Sequence, residues 1–124
     1  MKWFSKIALV MVLLLAGAPH ADGQDSYYMN KAKEYMREAE YYTKKAEGHD
    51  RDAEYYNRQA QNYLREADYY ARHNKPDKAS SYSRRAADAT DKARMRMRWA
   101  NDARDKARMR MRWAEEAMRK AKNR

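Results

Sequence analysis

Alanine recurs every seventh residue through most of this chain, and that spacing is the strongest constraint on its fold. Six alanines keep it from residue 32 to residue 67, and seven more keep it from residue 79 to residue 121. A row dominated by tyrosine accompanies the first series, three positions after each alanine. Two apolar rows alternating at three and four residues are typical of a coiled-coil seam. We assign alanine to position a and tyrosine to position d, and predict an all-α fold.

The composition excludes an ordinary globular core. After residue 23 the chain has one leucine, Leu64, and no valine, isoleucine or phenylalanine, while the formal net charge of the 124 residues is +10. High charge with so little apolar surface is typical of disordered chains. A helical seam is the pattern that lets these few apolar side chains be buried together.

The heptad changes phase between Ala67 and Ala79, which are twelve residues apart instead of fourteen. Pro76 lies between them, and proline lacks the amide donor and moves the preceding residue away from the helical region. Asp77 can then cap the helix that follows. We predict helix A over 24–73, a turn over 74–77 and helix B over 78–122.

Two segments of similar length around a turn predict a long antiparallel hairpin. Folding the chain midway between Asn74 and Lys75 places each seam tyrosine of helix A opposite an alanine of helix B, and large opposite small is how facing residues interdigitate. A slip of seven residues preserves this match, so the sequence predicts the phase and leaves the absolute register open. In helix B the companion row carries Arg96 and Arg110, where we expect the next residues, methionines 97 and 111, to take the apolar place.

A seam of alanine buries little surface, and domains this small need a further source of stability. We therefore expect self-association into a homo-oligomeric helical bundle. The structural alternative is a continuous rod, kinked at Pro76, that assembles between chains. The predicted helix–helix seam consists of Ala32, Tyr35, Ala39, Tyr42, Ala46, Ala53, Tyr56, Ala60, Tyr63, Ala67, Tyr70, Ala79, Ala86, Ala93, Ala100, Ala107, Ala114 and Ala121.

The first residues predict export. Lys2 and Lys6 precede an apolar run over residues 7–16, and small residues follow it. This order is typical of a secretory signal peptide, here over 1–23, and the run is shorter than the roughly 20 residues that span a bilayer. We expect a secreted protein, located in the periplasm or cell envelope if the source is bacterial. The sequence has no cysteine, so the exported chain would fold without disulfides.

A second aromatic row lies off the seam at position c. Tyr27, Tyr41, Tyr55 and Tyr69 recur every fourteen residues, which is roughly 21 Å along a helix. They predict an exposed tyrosine stripe. It is either a packing face for another helix or a display of phenols for surface binding or oxidative cross-linking.

Helix B carries almost all of the excess charge. Residues 77–124 include 16 basic and 7 acidic side chains, whereas residues 24–76 include ten of each. Within helix B the ten residues 91–100 recur unchanged at 105–114. Arginine offers forked donors to carboxylate, phosphate or sulfate, and tryptophan offers a flat amphipathic surface. The predicted polyanion-binding residues are Arg94, Arg96, Arg98, Trp99, Arg108, Arg110, Arg112 and Trp113.

The sequence shows no catalytic constellation. Its three histidines are scattered at 20, 49 and 73, and it has no glycine-rich phosphate loop and no metal-ligand spacing. We expect no enzymatic activity, no cofactor and no metal site, and we interpret His49 as a polar residue of the seam. The expected function is that of an exported structural or interaction protein, whose partners are itself and an acidic matrix, cell-surface or mineral-associated polymer. A cationic membrane-active protein is the alternative, and nucleic-acid binding ranks third.

Seven-spaced alanine behind a signal peptide resembles the alanine-zipper outer-membrane lipoproteins. The resemblance covers the seam and not the anchors, because the lipid-bearing cysteine is missing and the chain ends Lys122-Asn123-Arg124, where that family ends in a lysine joined to the cell wall. The chain is not assigned to that family. In composition it also resembles tyrosine-rich, basic, repetitive invertebrate matrix, shell and adhesive proteins, which implies a structural role.

Overall fold

The computed structural model describes residues 23–123, with side chains from residue 26 onward. Helix α1 is Gly23–Arg72 and helix α2 is Pro76–Lys122, and the two pack against each other as an antiparallel hairpin. The all-α hairpin predicted from the heptads is therefore confirmed. The helix ends differ from the predicted bounds by one or two residues, and the predicted signal peptide lies, apart from Gly23, outside the described residues.

Helix α1 ends in a Schellman-type motif. The amide of Lys75 donates to the carbonyl of Tyr70 at 2.9 Å, across a left-handed Asn74 with φ of 58°. Asparagine is one of the few residues other than glycine that adopt this conformation at a helix end. The motif satisfies a carbonyl of the last turn and reverses the chain direction.

Helix α2 begins at Pro76, whose missing amide is one that the first turn leaves unused. The carbonyl of Lys75 accepts the first helical hydrogen bond, from the amide of Ala79 at 3.0 Å, so Lys75 occupies the cap. The predicted capping role of Asp77 is wrong. This aspartate lies in the first turn, where its charge instead complements the helix dipole.

Contacts between the helices fix the register. The ring of Tyr35 meets the ring of Trp113 edge-on at 5.5 Å, and Trp113 directly precedes the alanine that the sequence places opposite Tyr35. Five further pairs repeat this offset, so the slip of seven residues that the sequence leaves open is excluded. The pairs are Tyr28–Lys120, Tyr42–Lys106, His49–Trp99, Tyr56–Lys92 and Tyr70–Lys78.

The packing divides into two compact units. The turn unit is Lys45–Asp102, and the terminal unit combines residues 23–44 with residues 103–123. Both contain buried alanines of the heptad seam. In α1 these are Ala32, Ala39, Ala46, Ala53, Ala60 and Ala67, and in α2 they are Ala86, Ala93, Ala100, Ala107 and Ala114. Ala79 and Ala121, at the two ends of the α2 series, are half-buried.

The core of the terminal unit is widened by methionine. Met29, Met36, Met111 and Met118 cluster with the buried alanines of this unit. These methionines lie one residue after the d row, at position e, so each helix buries three adjacent rows instead of two. Of the four, only Met111 is predicted from the heptad pattern. Unbranched methionine suits this place because it adapts to irregular gaps beside small residues.

The turn unit has a different core. The ring of Tyr82 stacks on that of Tyr70 at 5.4 Å with an interplanar angle of 11°, and lies 6.2 Å from the ring of Tyr63. Large therefore meets large at this point, contrary to the alternation predicted from the heptads. The expectation that Met97 takes an apolar place is also wrong, since it is 44% exposed. In α1 the residue fourteen positions after Met36 is Asp50, so position e is polar at this level of the hairpin.

Exchanging Met36 for alanine should destabilise the hairpin by about 2 to 5 kcal/mol, because the side chain is 1% exposed and its loss leaves a cavity. The control is Leu64→Ala, which removes a side chain of similar size that is 55% exposed. Thermal unfolding followed by circular dichroism at one protein concentration measures both. Equal losses in the two variants would contradict the methionine core.

Exchanging Gly48 for alanine should stabilise α1 by about 1 kcal/mol, the usual helix-propensity difference. An added Cβ meets nothing nearer than the Arg51 guanidinium at 4.0 Å, so the space is open. The reverse exchange, Ala87→Gly at an exposed position of α2, should destabilise that helix by a similar free energy and so lower the melting temperature. A melting temperature of Gly48→Ala below that of the wild type would show that the glycine is needed for close packing.

Candidate functional site

The duplicated segment of α2 places one copy in each unit. Residues 91–100 lie in the turn unit and residues 105–114 in the terminal unit. In each copy the alanines at both ends of the Ala-Arg-Met-Arg-Met-Arg-Trp-Ala sequence are buried, and most of the residues between them are exposed or half-buried. The helix therefore presents arginine, methionine and tryptophan around its outer surface.

The two tryptophans have different partners. Trp113 contacts Tyr35, whereas Trp99 contacts His49, with ring centroids 5.6 Å apart and planes at 64°. His49 interrupts the tyrosine row at the place that corresponds to Tyr35 one fourteen-residue repeat earlier. Both indoles keep one side accessible, so they serve the hairpin and remain available to a ligand.

Arg96 and Arg110 hold the helices together. Arg110 donates through Nε to Oε2 of Glu38 on α1 at 2.6 Å, and Arg96 lies 3.5 Å from the carboxylate of Asp52. Both guanidinium groups also lie over the tryptophan that follows three residues later, 4.5 Å from the centroid of Trp113 and 4.8 Å from that of Trp99. Half-buried, paired guanidinium groups of this kind are poor ligands for an external anion, because binding it would break the inter-helix pair.

The other four predicted arginines are exposed. Arg94 and Arg108 form pairs within α2, with Asp91 at 3.9 Å and Asp105 at 2.7 Å. Exposed pairs within one helix contribute only a few tenths of a kcal/mol, so an external anion can compete with these aspartates. Arg98 and Arg112 point outward on the same helix.

A row of lysines on α2 lies over the tyrosine row of α1. These lysines are not among the residues predicted from the sequence. The ammonium groups lie 5.3 to 5.7 Å from the tyrosine ring centroids, within the range of cation–π attraction. The available signal is a spacing of fourteen residues. The lysines are Lys78, Lys92, Lys106 and Lys120.

The tyrosine stripe at position c is exposed, as its spacing predicts. Tyr27, Tyr41, Tyr55 and Tyr69 are 53 to 60% exposed. Each ring meets the seam tyrosine that follows it in an edge-on arrangement, with centroids 5.2 to 5.4 Å apart. The outer ring is thereby held in place by its neighbour instead of extending freely into solvent.

Residues 23–123 contain no group of three or more histidine, cysteine or acidic side chains placed to hold a metal ion. Within the same residues, neither helix is apolar over a length that could cross a bilayer. No family model, curated protein or solved structure matches the chain. We therefore infer a function from the arrangement of the charged and aromatic side chains.

Exchanging Arg110 for glutamine should lower the stability of the hairpin by about 1 to 2 kcal/mol, since a charge-assisted hydrogen bond between the helices is lost. Arg112→Gln is the matched control, because it removes the same charge two residues away on the exposed surface. We expect its effect to stay within about 0.5 kcal/mol. Chemical denaturation measures both, and a loss for Arg112→Gln as large as for Arg110→Gln would argue against the structural role of Arg110.

Proposed function

We propose that the protein is an exported, non-enzymatic structural or interaction protein. In this proposal the hairpin self-associates, and its α2 arm binds an acidic polymer of an extracellular matrix, a cell surface or a mineral-associated layer. The observation that carries it is the exposed basic and aromatic surface of α2, present twice in the same ten-residue sequence. A protein with a net charge of +10 attracts polyanions over a range set by the ionic strength.

The contacts between the helices reduce the number of residues that would bind the polymer. Arg96 and Arg110 are used between the helices, so the proposed contact surface is smaller than the sequence predicts. It comprises Arg94, Arg98 and Trp99 in the turn unit and Arg108, Arg112 and Trp113 in the terminal unit. Met95 and Met109 lie beside these residues and are about half exposed, which adds apolar contact area to each copy.

Self-association is supported by what the single hairpin leaves exposed. The seam consists mainly of alanine, while Tyr41, Tyr55 and Tyr69 of the stripe retain more than half of their surface. Fully burying a large apolar side chain contributes about 1.5 to 3 kcal/mol, so packing the exposed half of each of these rings against another copy would add part of that free energy to what the narrow seam supplies.

Action on membranes is the second candidate. It is favoured by the exposure of Met97, Met109 and Trp113 among arginines, a combination found in interfacial cationic helices. Release of dye from anionic vesicles, with none from neutral vesicles, distinguishes this candidate from polymer binding. The proposed polymer binding requires no such leakage.

The double exchange Arg98→Gln with Arg112→Gln should weaken retention on a sulfated polysaccharide column, because two exposed charges are lost. Log affinity decreases with log salt, and the steepness of this decrease should be smaller by about 1.5 to 2 in the double variant, since fewer counterions are released. The matched control is Arg58→Gln with Arg72→Gln, which removes the same charge from exposed positions of α1. Equal weakening in both double variants would contradict binding by the α2 surface.

A further inference from the structure

An open groove of about 400 Å³ lies within the terminal unit. Four aromatic rings and two ammonium groups account for most of its lining. We call it the aromatic groove, and its residues are Tyr27, Tyr28, Lys31, Tyr35, Trp113 and Lys120, with Glu116 and Ala117 completing the lining. Its volume falls within the range of small-molecule sites, and its combination of ring faces and charges is specific enough to indicate a ligand class.

The rings of the groove are held in pairs before any ligand arrives. Tyr27 meets Tyr28 at 5.4 Å and Tyr35 meets Trp113 at 5.5 Å, both edge-on. Tyr27 is 56% exposed and Trp113 is 38% exposed, so each pair offers an accessible surface. Rings held by their neighbours lose little conformational entropy on binding, which favours affinity.

The two lysines place positive charge at the level of the rings. The ammonium group of Lys31 lies 5.9 Å from the centroid of Tyr27, and that of Lys120 lies 5.7 Å from the centroid of Tyr28. Each lies near an exposed glutamate of its own helix, Glu34 at 3.4 Å and Glu116 at 3.9 Å. The charge of Glu34 raises the pKa of Lys31 above its ordinary value. Such exposed pairs are weak, and an incoming anion can replace the carboxylates.

The basic surface continues on both sides of the groove. One neighbouring depression shares Tyr27 and Lys31 with it and adds Lys33 and Arg37, which outnumber its one acid, Glu34. The other shares Tyr28, Lys120 and Glu116 and adds Arg119. An anion that extends through the groove would meet further cations in both directions, which fits a segment of a polymer better than an isolated small molecule.

We propose that the aromatic groove binds one charged sugar ring of an acidic polysaccharide, with its sulfate or carboxylate groups on Lys31 and Lys120. The C–H groups of a pyranose ring carry partial positive charge and pack on the electron-rich faces of tyrosine and tryptophan. An acidic sugar carries its anionic group on the sugar ring itself. A sugar ring packed on the aromatic rings would therefore bring that group close to the ammonium groups of the two lysines. In a nucleotide the sugar separates the phosphate from the base that would stack. The inference rests on the proposed polyanion binding and specifies the class of polymer.

The test uses the full chain and a heparin-derived tetrasaccharide. Indole N–H signals in ¹H–¹⁵N spectra, assigned with Trp113→Phe and Trp99→Phe, distinguish these two tryptophans from each other and from Trp3. We expect the Trp113 signal to shift at a lower tetrasaccharide concentration than the Trp99 signal, because Trp113 lines the groove as well as the α2 surface. Tyr27→Ala should bind about threefold to tenfold more weakly, the factor expected for one aromatic contact. Tyr69→Ala removes an equally exposed tyrosine at the same position of a later repeat and should bind like the wild type.

Two further probes separate the ring from the charge. Inorganic tripolyphosphate is a polyanion without a ring, and its affinity should be unchanged by Tyr27→Ala. A short oligothymidylate tests the competing nucleic-acid ligand, and we expect it to bind more weakly than the tetrasaccharide. Equal tetrasaccharide affinity in Tyr27→Ala and Tyr69→Ala, or tighter binding of the oligothymidylate, would overturn the inference.

Retention of the wild type on the sulfated polysaccharide column separates a failure of the groove inference from a failure of the proposed function. If the polymer retains the protein and Tyr27→Ala binds the tetrasaccharide as tightly as the wild type, the groove is not the site and α2 binding stands. If the polymer does not retain the protein at low salt, the proposed function itself fails.

Discussion

The close approach of two helices along an alanine seam is the constraint on which the rest of the structure depends. Methyl groups such as those of Ala39 and Ala114 are fully buried, but they remove little apolar surface from water. The stability must come from side chains beside the seam. Because the alanines bring the backbones near each other, aromatic rings and long cationic side chains from one helix can reach across the other.

The charge asymmetry of the chain fits this arrangement. α2 carries the excess of arginine and lysine, and α1 supplies the acids that neutralise part of it. Arg96 pairs with Asp52, and Arg110 with Glu38, so both of these arginines have an acidic partner on the other helix. The lysines above the tyrosine rings are a second use of the same excess. Other arginines of α2 are exposed on its outer surface, and the proposed binding of an acidic polymer depends on them.

The two units solve the shortage of apolar residues differently. The terminal unit adds a third buried row that contains Met36 and Met111, and the turn unit stacks Tyr70 on Tyr82. The duplicated segment of α2 therefore meets unlike surroundings in its two copies. Trp113 contacts a tyrosine and Trp99 a histidine, so identical sequences need not have identical ligands. The aromatic groove belongs to the terminal unit for this reason.

The sequence by itself determined the helical class, the hairpin, the phase of the seam and the exposed tyrosine stripe, because heptad spacing and a proline act through local geometry. It also indicated that arginine and tryptophan would share one surface of α2. Only the tertiary structure decided the register, the buried methionines and the pairing of Arg96 and Arg110 across the helices. These depend on what lies opposite each residue, and a seven-residue repeat presents similar neighbours at every slip. The same holds for the groove, whose rings come from both helices and converge only when the register is set.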